Sequence, residues 1–214
     1  MQNTFDISLL PDIKDLQKLT QALAMLDAII EPEWDMRYYS FNSAWSTNEQ
    51  LASMRNGSGD HWFLLFCNAG AALHALAHEA DIFTYNKPYL GIFCNLPSEF
   101  QKNFLNEPAF DTKNSTFSCW RRTTDAQWHR GNADLPDSTN ADGSIELLSI
   151  LVGSPEEYVQ YVIEYYERDI DLVDVKAIYN HAPLTESLIE RINPHTSFEL
   201  LQKDILEIGY PCNG

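Results

Sequence analysis

The chain has 214 residues, 44% of them apolar and 12% aromatic, a composition able to bury a large core without disulfides or metals. Thirty-one acidic side chains face fourteen basic ones, for a formal charge of −17. Such a field repels nucleic-acid phosphate and anionic lipid and steers in a basic protein. The composition therefore predicts no nucleic-acid binding and no membrane insertion, and leaves two readings of the acidic surface, a solubilising one and a docking face for a basic protein.

Residues 12–30 carry Leu16, Leu19, Leu23, Leu26 and Ile30 at helical spacing, with Asp12 placed to cap the start. The stripe is narrow and predicts a helix that packs one face. "EPEWD" ends it at Pro32. Residues 36–42, "MRYYSFN", read as an aromatic-rich strand. "TNEQLASMR" reads as a short helix, capped by Thr47 with Gln50 completing a capping box. "NGSGD" is a turn. Residues 61–67 form an apolar run of strand length, and Asn68-Ala69-Gly70 leads into a return strand over 71–77. A helix is expected over 97–107, with Phe100 and Phe104 facing inward and Pro108 ending it. Residues 115–122 alternate as a strand that 126–130 can continue or pair with.

The polar stretch 131–143, "GNADLPDSTNADG", is a long loop at which the chain could divide. Beyond it a short apolar helix is expected, then a strong helix start at Ser154-Pro155-Glu156-Glu157. Residues 173–179 read as a strand, Thr185 opens a helix, and Thr196 or Ser197 opens the last one, which stops at Gly209. From Asp142 onward there are fourteen acidic and four basic residues, so the negative charge gathers toward the C-terminus. The pattern predicts one α+β domain over 1–214: a mainly antiparallel sheet, an N-terminal helix and a helix-rich final third.

Cys67, Cys94, Cys119 and Cys212 form no C-x-x-C pair, and the first three sit among large apolar residues, as buried free thiols do. "MQNTFDISLL" has neither a basic n-region nor an apolar h-region. Both features lead to the expectation of a cytoplasmic protein.

Chemistry is scarce. No nucleophile elbow, phosphate loop or dinucleotide fingerprint is present. His74 and His78 are four apart, but on a strand they lie ~13 Å from each other, too far to share a zinc. Ser138, Asn140 and Asp142 resemble half of a calcium loop, yet the twelfth position is Ser149. No metal and no cofactor are expected. Asp169, Asp171 and Asp174 beside Tyr165 and Tyr166 read as a solvated helix end. One basic island remains, Trp120, Arg121, Arg122, Trp128, His129 and Arg130, where arginine beside tryptophan suits a carboxylate, phosphate or base. The candidate ligand-binding set is Arg55, Trp120, Arg122, Trp128 and His129. Arg55 is included because Gly57-Ser58-Gly59 follows it.

"RYYSFNSAWSTNEQLASMRNGSGDHWFLLF", "FLNEPAF" and "LEIGYP" resemble a family of uncharacterised bacterial proteins, a resemblance that implies no reaction and no ligand. The acidity and mixed α+β pattern are also similar, at the level of class, to bacterial immunity proteins that sit on basic toxin domains. The expected function is a non-catalytic, acidic protein-binding module, immunity- or inhibitor-like. The alternative is an enzyme or small-ligand binder using a Trp/Arg/His-lined cleft.

Overall fold

The computed structural model describes residues 2–213. Six strands form one antiparallel meander in chain order: β1 Tyr39–Ser46, β2 Glu49–Arg55, β3 His61–Cys67, β4 Gly70–Leu76, β5 Phe117–Arg122 and β6 His129–Arg130. The helices are α1 Ile13–Ile30, α2 Ser98–Phe100, α3 Ser144–Leu148, α4 Pro155–Tyr161, α5 Leu172–Tyr179, α6 Glu186–Ile192 and α7 Phe198–Ile208. The class is α+β. Among the described residues, no helix is long and apolar enough to cross a membrane.

Both sheet faces are covered, each by a different part of the chain. One face presents Phe41, Ala52, Met54, Trp62, Leu64, Phe66 and Leu73 to α1 and the C-terminal helices. The other presents Leu51, Phe63, Leu65 and Trp120 to residues 96–110. There α2 runs on as a π-helical turn to Leu105, and Phe100 and Phe104 are buried as expected. Core residues from Phe5 to Tyr210 share the first layer, so the chain on either side of 131–143 packs together.

Two local readings fail for identifiable reasons. "TNEQLASMR" is not a helix: Thr47 and Asn48 are the loop of a hairpin, Asn48 takes a left-handed φ of 61°, and Ser46 pairs with Glu49. Leu51, Ala52, Ser53 and Met54 are all buried because the strand is central, and burial on both sides erases the period-2 signal. Residues 173–179 are not a strand but most of α5. Asp171 caps it by accepting from the Val173 N–H at 2.8 Å, and Val175 and Ile178 are buried three apart. The β-branched residues suggested a strand, and packing against α1 and α4 prevailed.

Helix α1 begins as expected, with the Asp12 carboxylate accepting from the Lys14 and Asp15 N–H groups at 2.9 and 3.0 Å. It does not pack through one narrow face. Every residue from Ala22 to Ile30 is buried, because the helix runs between the sheet and α5, α6 and α7. Each fully buried Leu or Ile there contributes about 1.5–3 kcal/mol. The carbonyls at its buried C-terminal end need partners. Asn193 Nδ2 donates to Ile29 O at 2.8 Å, Thr196 Oγ1 to the same oxygen at 3.1 Å, Arg168 to Ile30 O, and Arg37 Nε to Glu31 O at 2.7 Å. Two guanidiniums thus meet the negative end of the helix dipole.

All four cysteines are free. Cys119 is buried, and burial pushes its thiol up; Cys67 is half-buried, whereas Cys94, expected inside, is exposed.

Gly70, at the β3–β4 hairpin, has φ +147°, and a Cβ there would meet Arg121 O at 2.1 Å. Gly57 has φ +71° but open space around it. Chemical denaturation should show Gly70→Ala losing about 3 kcal/mol and Gly57→Ala about 1 kcal/mol. Equal losses would mean that the strand approach at Gly70 is not tight.

Candidate functional site

The basic island straddles β5 and β6, and strand alternation divides it. Trp120, Arg122 and His129 belong to the face covered by residues 96–110; Arg121, Trp128 and Arg130 belong to the α1 face. Trp128 is buried there and donates its indole N–H to Pro11 O at 2.7 Å. Trp120, Arg122 and His129 do line one open groove of about 630 Å³ with Asn95, Glu99 and Asp125. Arg55 stands at the other end of the sheet: it pairs with His61, whereas Arg122 is level with Gly70 and Cys67. Along β3 that is about 20 Å. Three of the five candidates therefore come together and two do not.

The groove is already self-neutralised. Arg122 grips Asp125 through Nε at 3.1 Å and Nη2 at 3.0 Å, while its backbone N–H donates to the same carboxylate at 2.9 Å. This grip raises the Arg122 pKa and lowers that of Asp125. Arg121 Nε donates to the Asp125 backbone oxygen at 3.3 Å. Trp120 keeps 3% of its surface exposed, too little to stack on a base or sugar. Arg55 lies over two rings, 5.1 Å from the Trp34 centroid and 5.6 Å from that of Phe63. Gly57-Ser58-Gly59 is a turn organised by Asn56, whose side-chain oxygen accepts from the Ser58 and Asp60 N–H groups.

His74 and His78, four apart in sequence, part company. His74 is wholly buried, with Nδ1 2.9 Å from Ser115 Oγ, and burial drives its pKa down to about 3. It is a neutral ring packed on Phe63, Phe104 and Phe110. His78 lies beyond the strand, exposed, with Nδ1 2.7 Å from Asp60 Oδ1; that hydrogen bond raises its pKa. In the 131–143 loop, Asp142 accepts from Thr4 Oγ1 at 2.6 Å and the Ser144 N–H at 3.0 Å, and Asn140 accepts from the Ile145 N–H. Asp171 caps α5, and Asp174 holds Arg191 at 2.7 Å. Each of these polar residues has a structural task.

The most perturbed carboxylate was not singled out in the sequence. Asp27 is completely buried in α1. Its Oδ2 accepts from the Tyr38 and Tyr39 N–H groups at 3.0 and 2.9 Å and from Tyr166 Oη at 3.1 Å; its Oδ1 accepts from Tyr158 Oη at 2.7 Å. Burial raises its pKa to about 6, and these four donors oppose the rise. Tyr161 and Tyr165 extend the aromatic cluster toward solvent. A single Asp inside "LAMLDAII" was the available signal, since an acid in a run that apolar needs a partner. The group joins α1, β1, α4 and the π-helical turn after it. No nucleophile stands beside it, and the geometry is that of a structural anchor.

The Asp27 carboxyl binds its proton more tightly folded than unfolded between about pH 4 and pH 6. Its contribution to stability is therefore lost as pH rises through that window, by about 3 kcal/mol. Asp27→Asn should flatten this part of the stability profile, measured by urea unfolding at about pH 7 and about pH 4. An unchanged difference between the two pH values would show that Asp27 is not the titrating group.

No protein-family model, curated protein or solved structure matches this chain.

Proposed function

We propose that the protein is a non-catalytic, cytoplasmic binding module, immunity- or inhibitor-like, whose acidic surface docks a basic protein. One observation carries this reading: the charge is lopsided and uncompensated, −17 overall, with fourteen acidic and four basic residues from Asp142 onward. A field of that size raises the encounter rate with a cationic partner and rejects acidic ones. The pairing of Arg122 with Asp125 supports it too, since it engages one cation of the basic island within the chain. A bacterial source would fit the immunity-type parallel.

The second reading, a small-ligand site, rests on the groove where Trp120, Arg122 and His129 meet. Its polar walls suit a small hydrophilic molecule. Against it stand the buried Trp120 ring and the Arg122–Asp125 pair, which a ligand would have to break.

Immobilised protein exposed to native cell lysate should retain a basic protein at about 50 mM salt and release it near 500 mM. Arg122→Ala should leave that retention unchanged. Retention that depends on Arg122, or a captured partner that is acidic, would overturn the docking reading in favour of the groove.

A further inference from the structure

Residues 96–110 cover one face of the sheet and are held there by side chains. Among the described residues, their backbone hydrogen bonds are local, as from the Phe100 N–H to Pro97 O and from the Phe110 N–H to Glu107 O, and none reaches a strand. One polar side-chain bond ties the segment to the sheet, from Asn103 Nδ2 to the buried Glu49 carboxylate. The remaining attachment is apolar: Phe100, Phe104 and Phe110 pack with Leu51, Phe63, Leu65 and Trp120 in a core separate from the one around α1. At either end the chain turns through a left-handed residue, Asn95 at φ 66° and Asp111 at φ 50°. A segment attached in this way can open without unfolding the rest.

Two histidines lie in this layer. His74, wholly buried on β4, has its ring centroid 5.6 Å from that of Phe63, 5.7 Å from Phe104 and 6.2 Å from Phe110. His61, half-buried at the start of β3, has its ring centroid 5.9 Å from that of His74. The Nε2 atoms of both rings are buried without a hydrogen-bond partner. A neutral imidazole tolerates an idle acceptor nitrogen, whereas an imidazolium there would hold a charge among phenylalanines. Burial and then His61 oppose protonation of His74, and the Phe110 carbonyl favours it. Burial is also the main obstacle for His61, with Arg55 adding to it and Asp111, the Gly59 carbonyl and Asp60 working against it. In both rings burial wins, and the His74 pKa falls to about 3. With the segment lifted, His74 faces water and regains the ordinary proton affinity of an imidazole.

We propose that residues 96–110 are an acid-released cover: protonation of His74, with His61 beside it, holds the segment open and bares the apolar sheet face of Leu51, Phe63, Leu65 and Trp120. The open form binds a proton that the closed form refuses. The cover is therefore most firmly closed above about pH 6.5 and opens more often as pH falls below it. Asp27, in the layer around α1, titrates in the opposite sense, so acid tightens that layer while it loosens this one. The device does not depend on the docking function.

Hydrogen exchange of the whole protein, read by mass spectrometry at about pH 7 and about pH 4.5 and corrected for the intrinsic pH dependence of exchange, measures the opening. A histidine whose pKa falls from its ordinary value to about 3 on closure should raise the opening of residues 98–110 about 50- to 100-fold between these two conditions. Exchange from Ala22–Ile30 in α1 should rise at least about tenfold less, because Asp27 offsets it there. His74→Gln should cut the rise in residues 98–110 at least about tenfold. No rise, an equal rise in α1, or a rise that His74→Gln leaves intact overturns the cover. Should His74→Gln not fold, NMR of the wild-type ring nitrogens decides: His74 gains its proton only together with the opening of residues 98–110, and a His74 ring that protonates near pH 6.5 in the closed protein overturns the cover.

Discussion

A carboxylate without water sets the arrangement of this protein. Asp27 is inside α1, and its two oxygens take hydrogen bonds from the first residues of β1 and from tyrosines of α4 and the turn after it. Desolvating such a charge is costly unless its lone pairs are occupied. The four donors come from segments far apart in sequence, so the carboxylate is satisfied only when sheet, central helix and C-terminal helices are all in place. A hydrophobic residue of the same size would bring no charge to desolvate, but it would leave the Tyr38 and Tyr39 N–H groups and two tyrosine hydroxyls without their acceptor, and would say nothing about where β1 starts or how α4 is turned. The acid gives up stability at neutral pH and ties three parts of the chain to one geometry.

The end of the same helix follows the same logic. Carbonyls at a buried C-terminus cannot turn to water, so side chains come to them: Asn193 and Thr196 from the loop between α6 and α7, Arg168 from beyond α4, and Arg37 from the approach to β1. Two of these segments, around Arg37 and Arg168, adjoin those that Asp27 ties together, and the α6–α7 loop is added to them. Polar groups on one helix thus specify how its neighbours pack, while the apolar layer supplies the bulk of the stability. Among the described residues five buried side-chain polar atoms find no partner, and two of them, the Tyr161 and Tyr179 hydroxyls, lie in the aromatic cluster around Asp27. The tightest part of the polar network is therefore also where some of its donors go unused.

Much of the architecture could be read in the chain because local signals agreed with tertiary packing. Asp12, Ser154, Thr185 and Ser197 each cap the helix they were expected to open, and the β3–β4 hairpin forms around Gly70. Readings failed where burial was two-sided. The central strand β2 lost its alternation, and α5 carried strand-forming residues on a helix whose Asp171 cap was the better guide. The candidate ligand set gathers only in part, for a simpler reason. Neighbours in sequence on a strand point to opposite faces, so "WRR" and "WHR" could not line one cleft: Trp120 and Trp128 lie in different cores. Nothing in the sequence marks which tyrosine hydroxyls reach Asp27, since those contacts join positions more than a hundred residues apart.

The distribution of the few cations gives the surface its character. A chain with fourteen basic residues against thirty-one acidic ones can scatter them as surface partners, which relieves repulsion, or draw them inward. Here several are used as anchors: Arg37, its side chain buried, to Asp204 and two carbonyls, and the exposed Arg168, Arg191 and Arg122 to the end of α1, to the buried Asp174 and to Asp125. Each anchor positions a loop or helix end. Repulsion among the remaining carboxylates works against the folded state at low ionic strength, and added salt relieves it. A surface selected for stability alone would have interspersed the signs. Using arginines as anchors for loops and helix ends leaves the −17 field in place.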